Sequence, residues 1–123
     1  MQVNKLDLLE EVSRCNRADK REKSERSDIA IHVQVSKVDN RPWSNEVDVI
    51  IKVQRSDSGS VIFFHQASYA AEFDEDVIEE DSEPAKVVWP LIREGIVSQF
   101  RKFGVNVHNV LPYNLERRRK SVG

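Results

Sequence analysis

The sequence predicts an α+β domain in which an antiparallel sheet is followed by one long C-terminal helix. Two periodicities and a turn carry that prediction. Ile29, Ile31, Val33 and Val35 alternate with Ala30, His32, Gln34 and Ser36, and Val47, Val49, Ile51 and Val53 alternate with Asp48, Ile50, Lys52 and Gln54. Period-two alternation of β-branched residues marks strands with one face buried. Val88, Ile92, Ile96 and Phe100 instead recur every four residues, the apolar stripe of an amphipathic helix. Between the second of these strands and the next apolar run, Ser56, Asp57, Ser58 and Gly59 carry the chemistry of a tight antiparallel hairpin.

The elements follow in order. Residues 3–15 are ambiguous, because Leu6, Leu8, Leu9 and Val12 suit a helical face or part of a strand. Residues 16–28 are almost wholly polar and charged and predict an exposed loop, since they bury too little apolar area to offset ordering. Strands are expected over about 29–39, 45–55 and 60–73. In the last, Val61, Phe63, Ala67, Tyr69, Ala71 and Phe73 share one face. Ile62 and Phe64 occupy the other face, where polar residues are expected, and with Ile50 they suggest a second burial surface. An acidic stretch, residues 74–83, leads to a helix over about 86–103. Asp81 or Ser82 is its candidate N-cap, Pro84 lies in its first turn, and Gly104 is its candidate C-cap. Pro90 would kink that helix unless it lies near the start. Residues 105–115 are a short apolar segment, extended or partly helical, and 117–120 are a basic run. The expected organisation is one domain over 1–116 and a basic tail over 117–123.

Composition narrows the function class. A chain of 123 residues buries about two-thirds of its unfolded surface and needs neither disulfide nor metal to fold. Charged residues are 33% and hydrophobic ones 39%, as in a soluble globular protein. The net charge of −2 gives no bulk electrostatic reason to bind nucleic acid, which is not an expected partner. Cys15 is the only cysteine, which fits a reducing cytoplasm. Nothing at the N-terminus resembles a signal peptide, and no apolar run approaches a membrane span.

No catalytic or metal-binding constellation stands out. His32, His65 and His108 lie far apart without ligand spacing, and a Cys/His zinc site needs a second cysteine. A Cys15–His dyad has no supporting spacing. In the acidic stretch, Asp74 and Asp76 fit the first positions of a calcium loop. Ile78 and Glu79 then stand where an oxygen ligand and the glycine belong, so a solvated charge run is the expectation. Phosphate-binding glycine loops and nucleophile elbows are absent. The expectation is a protein without cofactor and without enzymatic activity.

Trp89-Pro90-Leu91-Ile92-Arg93-Glu94 opens the helix, and Leu111-Pro112-Tyr113-Asn114-Leu115 follows its C-cap. This pair of motifs, with the strands before it and Pro42-Trp43 in the crossover region, resembles the SecB protein-export chaperones and their SecB-like relatives over roughly residues 5–115. The family's aromatic-Pro-x-x-Arg-Glu and Pro-x-Asn segments are matched. Its paired glycines in the last strand are replaced by Ala70 and Ala71, and the basic C-terminus differs from the export chaperone's acidic-flanked tail. Relatives with such departures include toxin–antitoxin chaperones and phage-encoded proteins.

The resemblance implies a four-stranded antiparallel sheet with the long helix packed on it, assembled into dimers or tetramers. It implies an ATP-independent holdase for unfolded or export-bound polypeptides, with an antitoxin or the translocation motor ATPase as further partners. The alternative is a small adaptor for one specific protein. Client contacts are expected at Trp43, Ile62, Phe64, Leu111, Pro112 and Tyr113. An oligomer interface is expected at Trp89, Ile92, Arg93, Ile96 and Phe100, with Arg93 and Glu94 in structural pairing.

Overall fold

A computed structural model describes residues 1–16, 27–56, 58–105, 107 and 111–115. Its elements are β1 (Val3–Cys15), β2 (Ser27–Lys37), β3 (Asn45–Arg55), β4 (Val61–Phe73) and α1 (Glu83–Lys102). The four strands form one sheet in the order β1-β4-β3-β2, with every neighbouring pair antiparallel. β2, β3 and β4 are consecutive neighbours, and β1 closes the far edge beside β4. This is a Greek-key arrangement. The expected α+β architecture is therefore observed, as a four-stranded sheet with the helix on one face.

β3 and β4 run down the middle and take the alternation literally. On β3, Val47, Val49 and Ile51 are fully buried, while Asp48, Ile50 and Gln54 are only half-buried. Phe63 is the matching anchor on β4. Its ring centre lies 3.8 Å from that of Phe100 on α1 and 5.4 Å from that of Phe103. Val88, Trp89, Ile92, Ile96, Val97 and Phe100 form the helix side of this core.

The residues 3–15 resolve as strand, thirteen residues long, although their pattern never alternates cleanly. The reason is visible in the pairing with β4. Register shifts between Val3 and Lys5 and between Leu8 and Glu10 switch which side chains face the helix. Leu6 opposite Ala71 and Ser13 opposite His65 thus share a face despite their opposite parity. At the other edge, β2 begins at Ser27, two residues inside the expected loop, because pairing of Ser27 and Asp28 with Arg55 and Gln54 extends the ladder. Residues 17–26, the rest of that expected loop, lie outside the described residues, as do the basic run 117–120 and His108. The hairpin between β3 and β4 is tight as expected. The amide of Arg55 donates to the Ser60 carbonyl at 2.9 Å, and Gly59 supplies a φ of 74°.

Helix α1 starts three residues earlier than its stripe suggests. The Asp81 carboxylate accepts from the Glu83 amide at 3.0 Å, and Pro84 sits in the first turn, where its missing N–H is harmless. The helix continues through Pro90. Pro90 and Lys86 are both exposed, so the turn without its i→i−4 bond is on the wet side. Its end is a Schellman motif: the Gly104 amide donates to the Arg101 carbonyl and the Val105 amide to that of Phe100, with Gly104 at φ 80°. Ala85 packs near residues 33–36 of β2, whereas Gln99 reaches Ser13 on β1, so the helix crosses the sheet from one edge towards the other.

Candidate functional site

The two conspicuous sequence motifs meet in space. The indole N–H of Trp89 donates to the Pro112 carbonyl at 2.8 Å, and Arg93 Nε donates to the same oxygen at 3.0 Å. Arg93 Nη2 donates to the Leu111 carbonyl at 2.9 Å, and Nη1 pairs with Glu94 at 2.7 Å. The guanidinium also stacks over the Tyr113 ring. Arg93 is 2% exposed, and such a charge is tolerated because its donors meet fixed acceptors. Together, Trp89 and Arg93 clamp the final segment onto the helix.

This clamp changes several expectations. Trp89, Ile92, Arg93, Ile96 and Phe100, expected at an oligomer interface, are all buried within the protomer. The sheet covers one side of their arc and the clamped segment covers more, which periodicity alone cannot reveal. The helix instead presents Leu91, 59% exposed, beside Glu94, Gly95 and Ser98. Leu111, expected in a client groove, is in the core at 1% exposure. Pro112 is half-buried with its carbonyl engaged, whereas Tyr113 is open to solvent.

Trp43 sits in the β2–β3 connection, which the Val38 amide closes onto the Ser44 carbonyl. Asn40 takes the left-handed conformation there, at φ 61°. The Trp43 indole donates to Glu46 at 3.0 Å, and Arg41 lies 3.8 Å from the same carboxylate. Trp43 is thus half-buried and held by its polar edge, neither a core plug nor fully displayed.

Phe64 lies on the sheet face opposite the helix and is half-buried, as is Ile50 on β3. A register shift in β4 sets the exposed Val61 opposite Gln54 on that face, so Ile62, expected there, packs against the helix-side core instead. Arg14 stacks on Phe64 at 5.2 Å from the ring centre. Val12, 42% exposed, sits opposite Gln66 on the same face. No described element of the chain covers this face. On β1, Leu8 and Leu9 add further exposed apolar surface at the sheet edge.

Sequence reasoning missed a buried polar group. His65 is fully buried on the helix face of β4. Its Nδ1 is 2.7 Å from Ser13 Oγ, which also accepts from Gln99 Nε2 at 3.2 Å. His65 Nε2 is buried without a partner among the described residues. Burial holds the imidazole pKa below its ordinary value, and Glu11 opposes that shift. The only signal in the sequence was its odd-numbered place among Phe63, Ala67 and Ala71. Among the described residues, no three His, Cys, Asp or Glu side chains are grouped to hold a metal ion, and no helix is long and apolar enough to cross a membrane.

A four-stranded Greek-key sheet with one long helix, and a final segment fastened to that helix, define a SecB-like fold. The solved structure of the Mycobacterium tuberculosis SecB-like chaperone Rv1957, in complex with a ChAD peptide from the antitoxin HigA1, has that fold. It superposes with a TM-score of 0.53 at 17% identity, over 98% of this chain and 92% of that one. No protein-family model matches the chain, and neither does any curated protein sequence.

Proposed function

We propose that the protein is a binding protein for polypeptides, an ATP-independent holdase that keeps unfolded or export-bound chains from aggregating. The carrying observation is the sheet face opposite the helix, where Ile50, Val61, Phe64 and Val12 form an apolar surface that no described element covers. An ATP-independent holdase works through many weak apolar contacts, and binding only the unfolded form draws the client away from aggregation by mass action. Tyr113 and the half-buried Trp43 offer further aromatic contact. The solved SecB-like chaperone with its bound antitoxin peptide supports a polypeptide as the kind of partner. That same peptide favours the second reading, an adaptor for one dedicated protein such as an antitoxin. Export clients handed to a motor ATPase belong to the first reading. Self-association into a dimer or tetramer would cover part of the apolar surface, with the exposed Leu8, Leu9 and Val12 on edge strand β1 as its natural contact.

The test is light scattering of two unrelated denatured proteins diluted into buffer without nucleotide. At a stoichiometric ratio the protein should delay aggregation of both, and Val61→Ser with Phe64→Ser should weaken the effect without loss of the fold by circular dichroism. Failure with every unfolded client would overturn the holdase reading and leave the dedicated adaptor.

A further inference from the structure

A cavity of about 450 Å³ lies outside the surfaces described so far. One wall is the free edge strand β2, at Val33, Gln34, Val35 and Ser36. The other is the turn into α1, at residues 79–82 and Ala85. We propose that this groove is the docking site of the chain's own basic run, Arg117, Arg118, Arg119 and Lys120. The proposal concerns the free protein and does not depend on the holdase reading.

Charge is the first argument. Residues 74–83 hold seven carboxylates, and some of them are engaged within the protein. Glu75 and Glu83 pair with the Met1 amino group, Asp74 accepts from the Gln2 amide, and Asp81 accepts from the Glu83 amide. Glu79 and Glu80 line the groove, are exposed, and have no ionic partner among the described residues. The four consecutive cations 117–120 complement them. Like-charged neighbours at the groove mouth favour a polycationic occupant over a neutral one.

Shape is the second argument. Among the described residues β2 is an edge of the sheet, and an edge strand offers outward N–H and C=O groups to an added extended segment. Val33 and Val35 give that segment a partly apolar floor.

Reach is the third. Trp89 and Arg93 hold Pro112 beside the middle of α1. Ala85 begins one helical turn earlier than Trp89, about 6 Å along the axis. The five residues from Pro112 to Arg117 span up to about 17 Å when extended. That reach exceeds the distance along the axis from the clamp to the end of the helix where the groove lies.

The experiment compares amide spectra of the full-length protein with those of a full-length variant carrying Arg117→Gln, Arg118→Gln, Arg119→Gln and Lys120→Gln. Docking predicts shift differences concentrated at residues 33–36 and 79–85. Raising salt from about 0.05 M to about 1 M, where the screening length falls to about 3 Å, should move the wild-type shifts onto the variant's. Glu79→Lys with Glu80→Lys, which leaves the Asp81 bond to the first turn intact, should abolish the difference. Superimposable spectra at low salt would overturn the proposal. So would shifts that appear only when isotope-labelled variant is mixed with unlabelled wild type, because the tail would then dock on a second copy.

Discussion

The guanidinium carbon of Arg93 stands 4.0 Å from the centre of the Tyr113 ring. One partner is buried in the protomer and the other is 60% exposed, so the contact ties a surface aromatic to the interior. The same arginine donates to the carbonyls of Leu111 and Pro112. What reads in sequence as two separate motifs is one clamp.

Arg93→Lys tests that clamp. Lysine keeps the charge but lacks the planar fork that serves two carbonyls and lies flat on a ring. Stability by urea unfolding should fall by about 1.5–3 kcal/mol, the usual worth of hydrogen bonds to a charged group. Hydrogen exchange at Leu111 and Tyr113 should speed up more than in β3. Unchanged stability would show that the segment is held by apolar packing alone.

Phe63→Ala should remove the central contact between sheet and helix. The ring is fully buried against Phe100 and Phe103, so the expected loss is about 3–5 kcal/mol. A midpoint shift worth less than about 1 kcal/mol would mean that the helix does not seat on β4 as described.

Gly104→Ala isolates a backbone effect. A Cβ at this position meets nothing within 4 Å, yet φ is 80°. The cost should come from the left-handed conformation alone, about 1–2 kcal/mol. Gly104→Asn should recover part of it, because asparagine tolerates that region better.

His65 predicts a pH dependence whose sign is fixed. Burial holds its folded pKa below the ordinary value of 6.5. Above 6.5 neither state binds the proton and stability is complete. As pH falls below that value the unfolded chain takes up a proton that the folded one resists, so stability drops until the folded pKa is passed. Ser13, itself bonded by Gln99, meets one ring nitrogen, and the Glu11 carboxylate acts against the shift. Unfolding free energies of wild type and His65→Gln should diverge in slope between about pH 5 and 7, with the variant flatter. Parallel curves would remove His65 as the cause.

Trp43→Ala separates grip from support. Because Trp43 is half-buried and held by Glu46, truncation should lower stability by less than the about 3–5 kcal/mol of a buried large aromatic. Aggregation suppression should weaken at the same time. A full-sized stability loss would assign Trp43 to structural support instead.

The sequence by itself determined the parts whose signal is local. β3 alternates because one face is buried all along its length, and the helical stripe from Val88 to Phe100 needs only the 3.6-residue period. The Gly104 cap was equally legible, since a helix end calls for a residue free to take positive φ. The tertiary structure alone decided the rest. β1 is ambiguous between helix and strand in the sequence because register shifts against β4 change its facing side chains midway, and those shifts exist only in the paired sheet. The apolar arc of α1 is wide enough for a partner, and whether a subunit or the chain's own final segment covers it depends on where residues 111–115 fold. Hydrogen bonds from Trp89 and Arg93 to carbonyls far along the chain fix that, and backbone carbonyls carry no mark in a sequence.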